Sequence, residues 1–245
     1  GAWEETGYYL NLALLTGAYH GLGYGESVGI MIEQEALEIP TREQLLAEIR
    51  EDMAEQPLPE RACAAADLPR AVGHFVLAPG RLEIPHAFKR FSPQAAAFRL
   101  GIPFTGHPMI GHDIIYLHPL NCGAAVGRTA LRDFRTFARN VSELSGGVYL
   151  SVGSAVMSPM VFEKSMAMAQ NIALQEGRRI DDHLIVVVDL QKSDWDWSAG
   201  EPPEDHPDYY LRFHKTFHRM GGELHYAQCD NRDFLLALCR ELTGE

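Results

Sequence analysis

Residues 183–190, HLIVVVDL, form a continuous apolar run of strand length. A strand without polar alternation has both faces covered, which is the situation of parallel strands flanked by helices. Shorter runs of the same kind are HFVLA (74–78), DIIYLH (113–118), VYLSV (148–152) and ELHYAQ (223–228). Helical patterns separate them. Ser92, Pro93 and Gly101 bracket a helix over 93–100, and Ser158, Pro159 and Gly177 bracket another over 159–176. Further helices are expected at 126–144, at 207–220 before Gly221-Gly222, and at 232–242 with Asn231 as cap.

This alternation predicts an α/β protein: three layers, a mostly parallel sheet with helices on both faces, and right-handed crossovers. One domain is expected over 1–245, with 1–70 as its less regular part and 71–245 as the alternating core. In the first part, TREQLLAEIREDMA opens with the capping-box pair Thr41 and Gln44 and reads as a helix. The three prolines of QPLPERACAAADLPR (56–70) suggest a surface loop, and WDWSAGEPPEDHPD (195–208) suggests a second.

Charge narrows the function classes. A net charge of −12 opposes a nucleic-acid surface, which needs clustered Lys and Arg, but leaves room for a nucleotide held by backbone N–H groups. There is no run of 18 apolar residues to suggest a membrane span, and GAWEETGYY lacks the basic and apolar regions of a signal peptide. Four cysteines without a C-x-x-C pair read as reduced thiols, so a cytoplasmic setting is expected.

Three stretches could carry chemistry. In GGVYLSVGSAVMSPMVFEKSMAMAQN (146–171), Gly153 and Ser154 follow a strand and precede a helix. Ligands of open α/β sheets bind beyond the carboxyl ends of the strands, where helix N-termini offer free donors. Small residues there can equally serve close strand–helix packing, and no G-x-G-x-x-G fingerprint is present. In GIPFTGHPMIGHDIIYLHP (101–119), His107, His112, His118 and Asp113 crowd a strand start, at spacings that match no zinc pattern. No metal is expected. These side chains either bond to backbone or hold a ligand, and Asp113 is the better candidate for a ligand. In SDWDWSAGEPPEDHPDYYLRFHKTF (193–217), Asp194, Asp196, Ser198 and Glu201 precede Lys215, which His214 and His218 flank. A lysine among apolar groups can lose its proton and act as an imine-forming nucleophile, or it can be a solvated helix residue.

In order and spacing, residues 95–240 resemble deoxyhypusine synthase and its prokaryotic relatives. The correspondence runs through Ile102-Pro103 and the following turn, Gly111-His112-Asp113 with the apolar run to His118, Asp133-Phe134-Arg135, Gly153-Ser154-Ala155 and Ser198-Ala199-Gly200-Glu201. It ends at Lys215 before LHYAQCDN. LALLTGAYHGLGYGES (12–27) is similar to the family's first nucleotide-binding turn. The sequence departs from the family at His112, where glycine is usual, and around Lys215, where Phe213-His214 replaces Trp-Gly.

The resemblance implies an NAD-binding fold, NAD as cofactor, an amine or polyamine substrate, and aminobutyl transfer through a lysine imine. It further implies a homo-oligomer. Residue by residue it assigns catalysis to Lys215 with His214, and cofactor contacts to Thr16, Gly17, Thr105, Gly106, Asp113, Gly153 and Ser154. Substrate contacts fall to His118, Asp194, Ser198 and Glu201. Two other functions fit the same pattern: a non-catalytic nucleotide- or metabolite-binding domain, and a sugar-phosphate isomerase-like protein using Ser151, Ser154 and Ser158.

Overall fold

Residues 1–70, expected to be the less regular part, carry most of the helices of the first half of the chain in a computed structural model, which describes residues 2–53, 55, 57, 59–75 and 77–244. Helices α1 (Ala2–His20), α2 (Tyr24–Gln34), α3 (Arg42–Asp52) and α4 (Glu60–His74) come first, with strand β1 (Ala36–Ile39) after α2. The chain divides into two compact units, Gly1–Thr136 and Phe137–Glu245.

The first unit is built around α1. Its consecutive residues Asn11 to Ala18 are buried, so the helix is apolar nearly all round and other elements cover it on several sides. Leu12, Leu15, Leu45, Leu68 and Leu120 belong to one core cluster there. Gly17 is required by close helix packing, since a Cβ would collide with Ser27 Oγ on α2. Strand β1 pairs antiparallel with β2 (Gly80–Glu83), Leu37 opposite Leu82. Helix α5 (Pro93–Leu100) has the expected caps: Ser92 Oγ accepts the Ala95 N–H and Gly101 takes a left-handed φ of 66°. Helix α6 (Gly123–Ser142) follows.

Two expected strands in this region are not strands. HFVLA falls at the end of α4, with Phe75 as its C-cap and Val76 outside the described residues. The supposed proline loop before it is largely α4 itself. Pro59 is its N-cap, Ala62, Ala64, Ala65 and Ala66 supply helix propensity, and Pro69 is accommodated inside. DIIYLH is a 3-10 turn, Ile114–Leu117, in which Ile115 is buried while Ile114 and Leu117 are exposed. Among the described residues no strand lies beside its apolar run to pair with it.

The second unit carries the parallel sheet. Strands β3 (Gly147–Val152), β4 (His183–Asp189) and β5 (Glu223–Gln228) lie in sequence order and are all parallel. Helix α7 (Met157–Gln175) links the first two, α8 (Arg212–His218) the second two, and α9 (Asn231–Thr243) follows β5. Helices α7 and α8 pack on each other, and their core partners are Phe162, Met166, Ile185, Val187, Phe217 and Leu224. The fold is therefore mixed α/β, with a three-stranded parallel sheet and a small antiparallel pair. No helix of the described residues is long and apolar enough to cross a membrane.

Candidate functional site

The carboxyl edge of the parallel sheet is built by three strand ends. Beyond β3, Gly153 adopts φ +67°, and its N–H donates to the Val188 carbonyl at 2.9 Å, extending the ladder by one residue. Beyond β4, Asp189 Oδ1 accepts the Gln191 N–H at 3.0 Å. Beyond β5, Asp230 caps α9 by accepting the Arg232 N–H at 2.8 Å, while the Arg232 guanidinium bonds both carboxylate oxygens. That arginine first, and the backbone N–H second, hold the Asp230 carboxyl at about 2. The cap is thus Asp230 rather than Asn231.

Asn231 instead faces the β3 turn. A Cβ at position 153 would collide with Asn231 Nδ2, so both the positive φ and the close approach require glycine there. Asn231 Oδ1 is buried and has no hydrogen-bond partner among the described residues. The N-termini of α7 and α9 both lie at this edge, and each presents a positive dipole end, that of α9 already faced by the Asp230 carboxylate. Around the turn, Ser154 Oγ accepts the Ser158 N–H at 3.0 Å. Ser158 Oγ in turn lies 2.7 Å from Tyr149 Oη and accepts from Ser151 Oγ at 2.9 Å. Burial pushes the Tyr149 phenol up against the opposing pull of Ser158, so the chain ends in a protonated hydroxyl.

The acidic loop of the same unit is tied to itself. Asp208 Oδ2 accepts from Ser193 Oγ and from the N–H groups of Asp194 and Trp195. Asp196 Oδ1 accepts the N–H and hydroxyl of Ser198. Glu201 forms a two-pronged pair with Arg219 at 2.6 and 3.2 Å, and that hydrogen-bonded guanidinium lowers its pKa. The Lys215 ammonium sits 2.9 Å from the centroid of the Tyr209 ring. Its neighbour His214 points the other way, fully buried against the rings of Trp197 and Tyr226 at 4.6 and 4.4 Å. Burial pushes His214 down to about 4, so it is neutral at pH 7 and shares no face with Lys215. The side chain of Phe213 lies outside the described residues, and Phe217 belongs to the core.

The remaining expected contacts fall in the first unit. Thr16 and Gly17, expected at a turn, lie inside α1, where the Thr16 hydroxyl donates to the Leu12 carbonyl at 3.0 Å. His118 is buried, accepts the Leu120 N–H on Nδ1 and stacks on Phe75. Thr105 borders a cleft of about 470 Å³, also lined by Gly25, Arg132, Asp133 and Arg135; Gly106, next in the chain, does not line it. Asp133 is its organising residue. Its Oδ2 accepts the Gly25 N–H at 2.8 Å and the Gly106 N–H at 2.6 Å. Asp113 caps the 3-10 turn through the Ile115 N–H and lines a separate pocket of about 240 Å³ with Tyr24, His107, His112 and Tyr116.

Sequence reading missed Asn231, Tyr24 and Tyr116 as site-lining residues. For Tyr24 the signal was present in GLGYGES, an aromatic residue between glycines. For Asn231 there was none, because its role depends on the non-local meeting of two strand ends. No protein-family model, curated protein or solved structure matches the chain.

Proposed function

We propose that the protein binds a nucleotide at the carboxyl edge of its parallel sheet, with NAD as the ligand that the resemblance to deoxyhypusine synthase favours. In this reading the sheet is the centre of a three-layer nucleotide-binding fold, and the working form is a homo-oligomer. The observation that carries it is the pairing of Gly153 and Asn231: a side-chain-free, left-handed turn beside a buried, unpartnered amide oxygen at the N-termini of two helices. Asn231 Oδ1 suits a ribose hydroxyl or an amide N–H of the ligand, and the α7 N-terminus suits its phosphates. The test is thermal unfolding of the full chain with and without NAD. A ligand that binds only the folded state raises the transition by an amount that grows with concentration. No shift at millimolar NAD sinks the proposal.

A second reading adds covalent chemistry to the same protein. Here NAD supplies hydride acceptance from an amine carbon, and Lys215 supplies the amine for an imine. The position of Lys215 after the acidic loop and before β5 supports it. The Lys215 side chain lies on the Tyr209 ring and must leave it before it can react. Incubation with NAD and a diamine or polyamine, then borohydride, tests this directly. An adduct on Lys215 that disappears in Lys215→Ala supports the reading, and its absence beside clear NAD binding leaves the binding function alone.

A further inference from the structure

The pocket formed by the 107–116 segment and Tyr24 in the first unit has a lining that points to a ligand of its own. Its volume, about 240 Å³, is below the ~300–1,000 Å³ of sites for drug-sized ligands, so it admits one small ring rather than a nucleotide. Its polar groups converge from separate parts of the chain: Tyr24 at the start of α2, His107, His112 and Asp113 from the loop, and Tyr116 from the 3-10 turn. Pro108 and Met109 add apolar surface.

Tyr116 Oη is buried and has no hydrogen-bond partner among the described residues. A buried hydroxyl left in that state is destabilising, and a ligand acceptor would relieve it. Asp113 uses Oδ1 for the Ile115 N–H at 3.1 Å, leaving Oδ2 to accept from a ligand. Burial, then the Asp113 charge, pushes both phenols up, Tyr24 to about 12, so both are donors at neutral pH. Burial lowers the pKa of His107, whose Nε2 is engaged by the Thr105 hydroxyl at 3.0 Å.

The same lining excludes other chemistries. It contains no Lys or Arg, so a phosphate or carboxylate has no counter-charge. It holds one carboxylate, too few for a polycation. No three His, Cys, Asp or Glu side chains among the described residues are arranged to hold a metal ion. What remains is a neutral ligand whose groups both donate and accept, and hydroxyls do both. We propose that this pocket binds a sugar-sized polyol, with Tyr24 and Tyr116 donating to its hydroxyls, Asp113 accepting from them, and Pro108 and Met109 against its C–H face.

The inference does not depend on the nucleotide reading, since none of its residues belongs to the carboxyl edge of the sheet. The experiment is saturation-transfer NMR and calorimetric titration of the full chain with D-ribose, D-glucose and myo-inositol, in buffer free of glycerol. Inorganic phosphate and putrescine serve as controls. At least one of the three polyols binds saturably and the controls do not. Tyr116→Phe, which removes only the unpartnered hydroxyl, weakens that binding at least tenfold without lowering the melting temperature of the ligand-free protein. Asp113→Asn weakens it at least fivefold. Failure of all three polyols, equal binding by Tyr116→Phe, or preferential binding of phosphate or putrescine overturns the proposal. The response of each variant to NAD is scored separately, so a failure of the nucleotide reading is distinguishable from a failure of this one.

Discussion

Replacing Asp133 by alanine removes a carboxylate that is 3% exposed and that serves two backbone donors, Gly25 N–H and Gly106 N–H. Each donor, left buried without an acceptor, costs ~1–3 kcal/mol, so the pair sets a gross loss of about 2–6 kcal/mol. Part of this is returned, because burial is the largest influence on Asp133 and raises its pKa: the charge is held at a cost. A net loss of about 2–4 kcal/mol follows. Asparagine keeps an oxygen that can accept both N–H groups, and should lose about 1 kcal/mol. The pH dependence has a definite sign. A carboxyl whose folded pKa is raised gives its full stability below its unfolded value, and loses it as pH rises through the folded value. The stability gap between the parent and Asp133→Asn should therefore narrow from pH 4 to pH 7. Hydrogen exchange read by mass spectrometry is the suitable assay, because it reports residues 23–26 and 104–106 without assuming that the two units unfold together. Unchanged protection of the Gly25 and Gly106 amides in the alanine variant would refute the reasoning. So would a parent–asparagine gap that widens with pH.

The other variants test separate parts of the account. His214 is neutral in the fold, with a pKa of about 4 against an ordinary 6.5, so its contribution is present above 6.5 and lost as pH falls towards 4. His214→Phe should flatten that part of the stability curve by up to ~3 kcal/mol, and an unaltered slope in denaturant titrations contradicts this. Gly17→Val drives a side chain into Ser27 and should cost about 1–3 kcal/mol, part of which Ser27→Gly restores in the double variant; simple additivity would deny the contact. Lys215→Ala should lose ~0.5–1 kcal/mol through Tyr209 and leave NAD affinity unchanged, whereas a tenfold weaker NAD titration would place Lys215 at the cofactor.

What the sequence made legible was local. The apolar run of β4, the strand and turn at 148–154 and the caps Ser92, Gly101 and Thr41 all depend on neighbouring residues, and each is found where its pattern indicated; the helix that follows the turn starts at Met157, with Val156 rather than Ser158 as its N-cap. The runs at 74–78 and 113–118 misled because strand identity depends on a partner strand, which no local pattern reports. Pro59, at the N-cap of α4, costs little, and the alanines outweighed the disfavoured Pro69 inside the helix. Among site residues, Gly153 was readable from its turn, but its counterpart Asn231 lies 78 residues away by numbering (231 − 153) and meets it only through the sheet. His214 and Lys215 look like one catalytic pair in sequence, yet adjacent helix positions face different directions. One enters the core and the other lies on Tyr209.

Nucleotide binding at the carboxyl edge is measured by calorimetric titration of NAD into the parent and into Gly153→Val. Valine at φ +67° both strains the turn and occupies the space beside Asn231. Circular dichroism establishes that the variant is folded before it is titrated. Saturable binding by the parent and at least a tenfold weaker affinity in the folded variant are expected. Absence of binding by the parent, or equal affinity in the two proteins, would contradict binding at this edge.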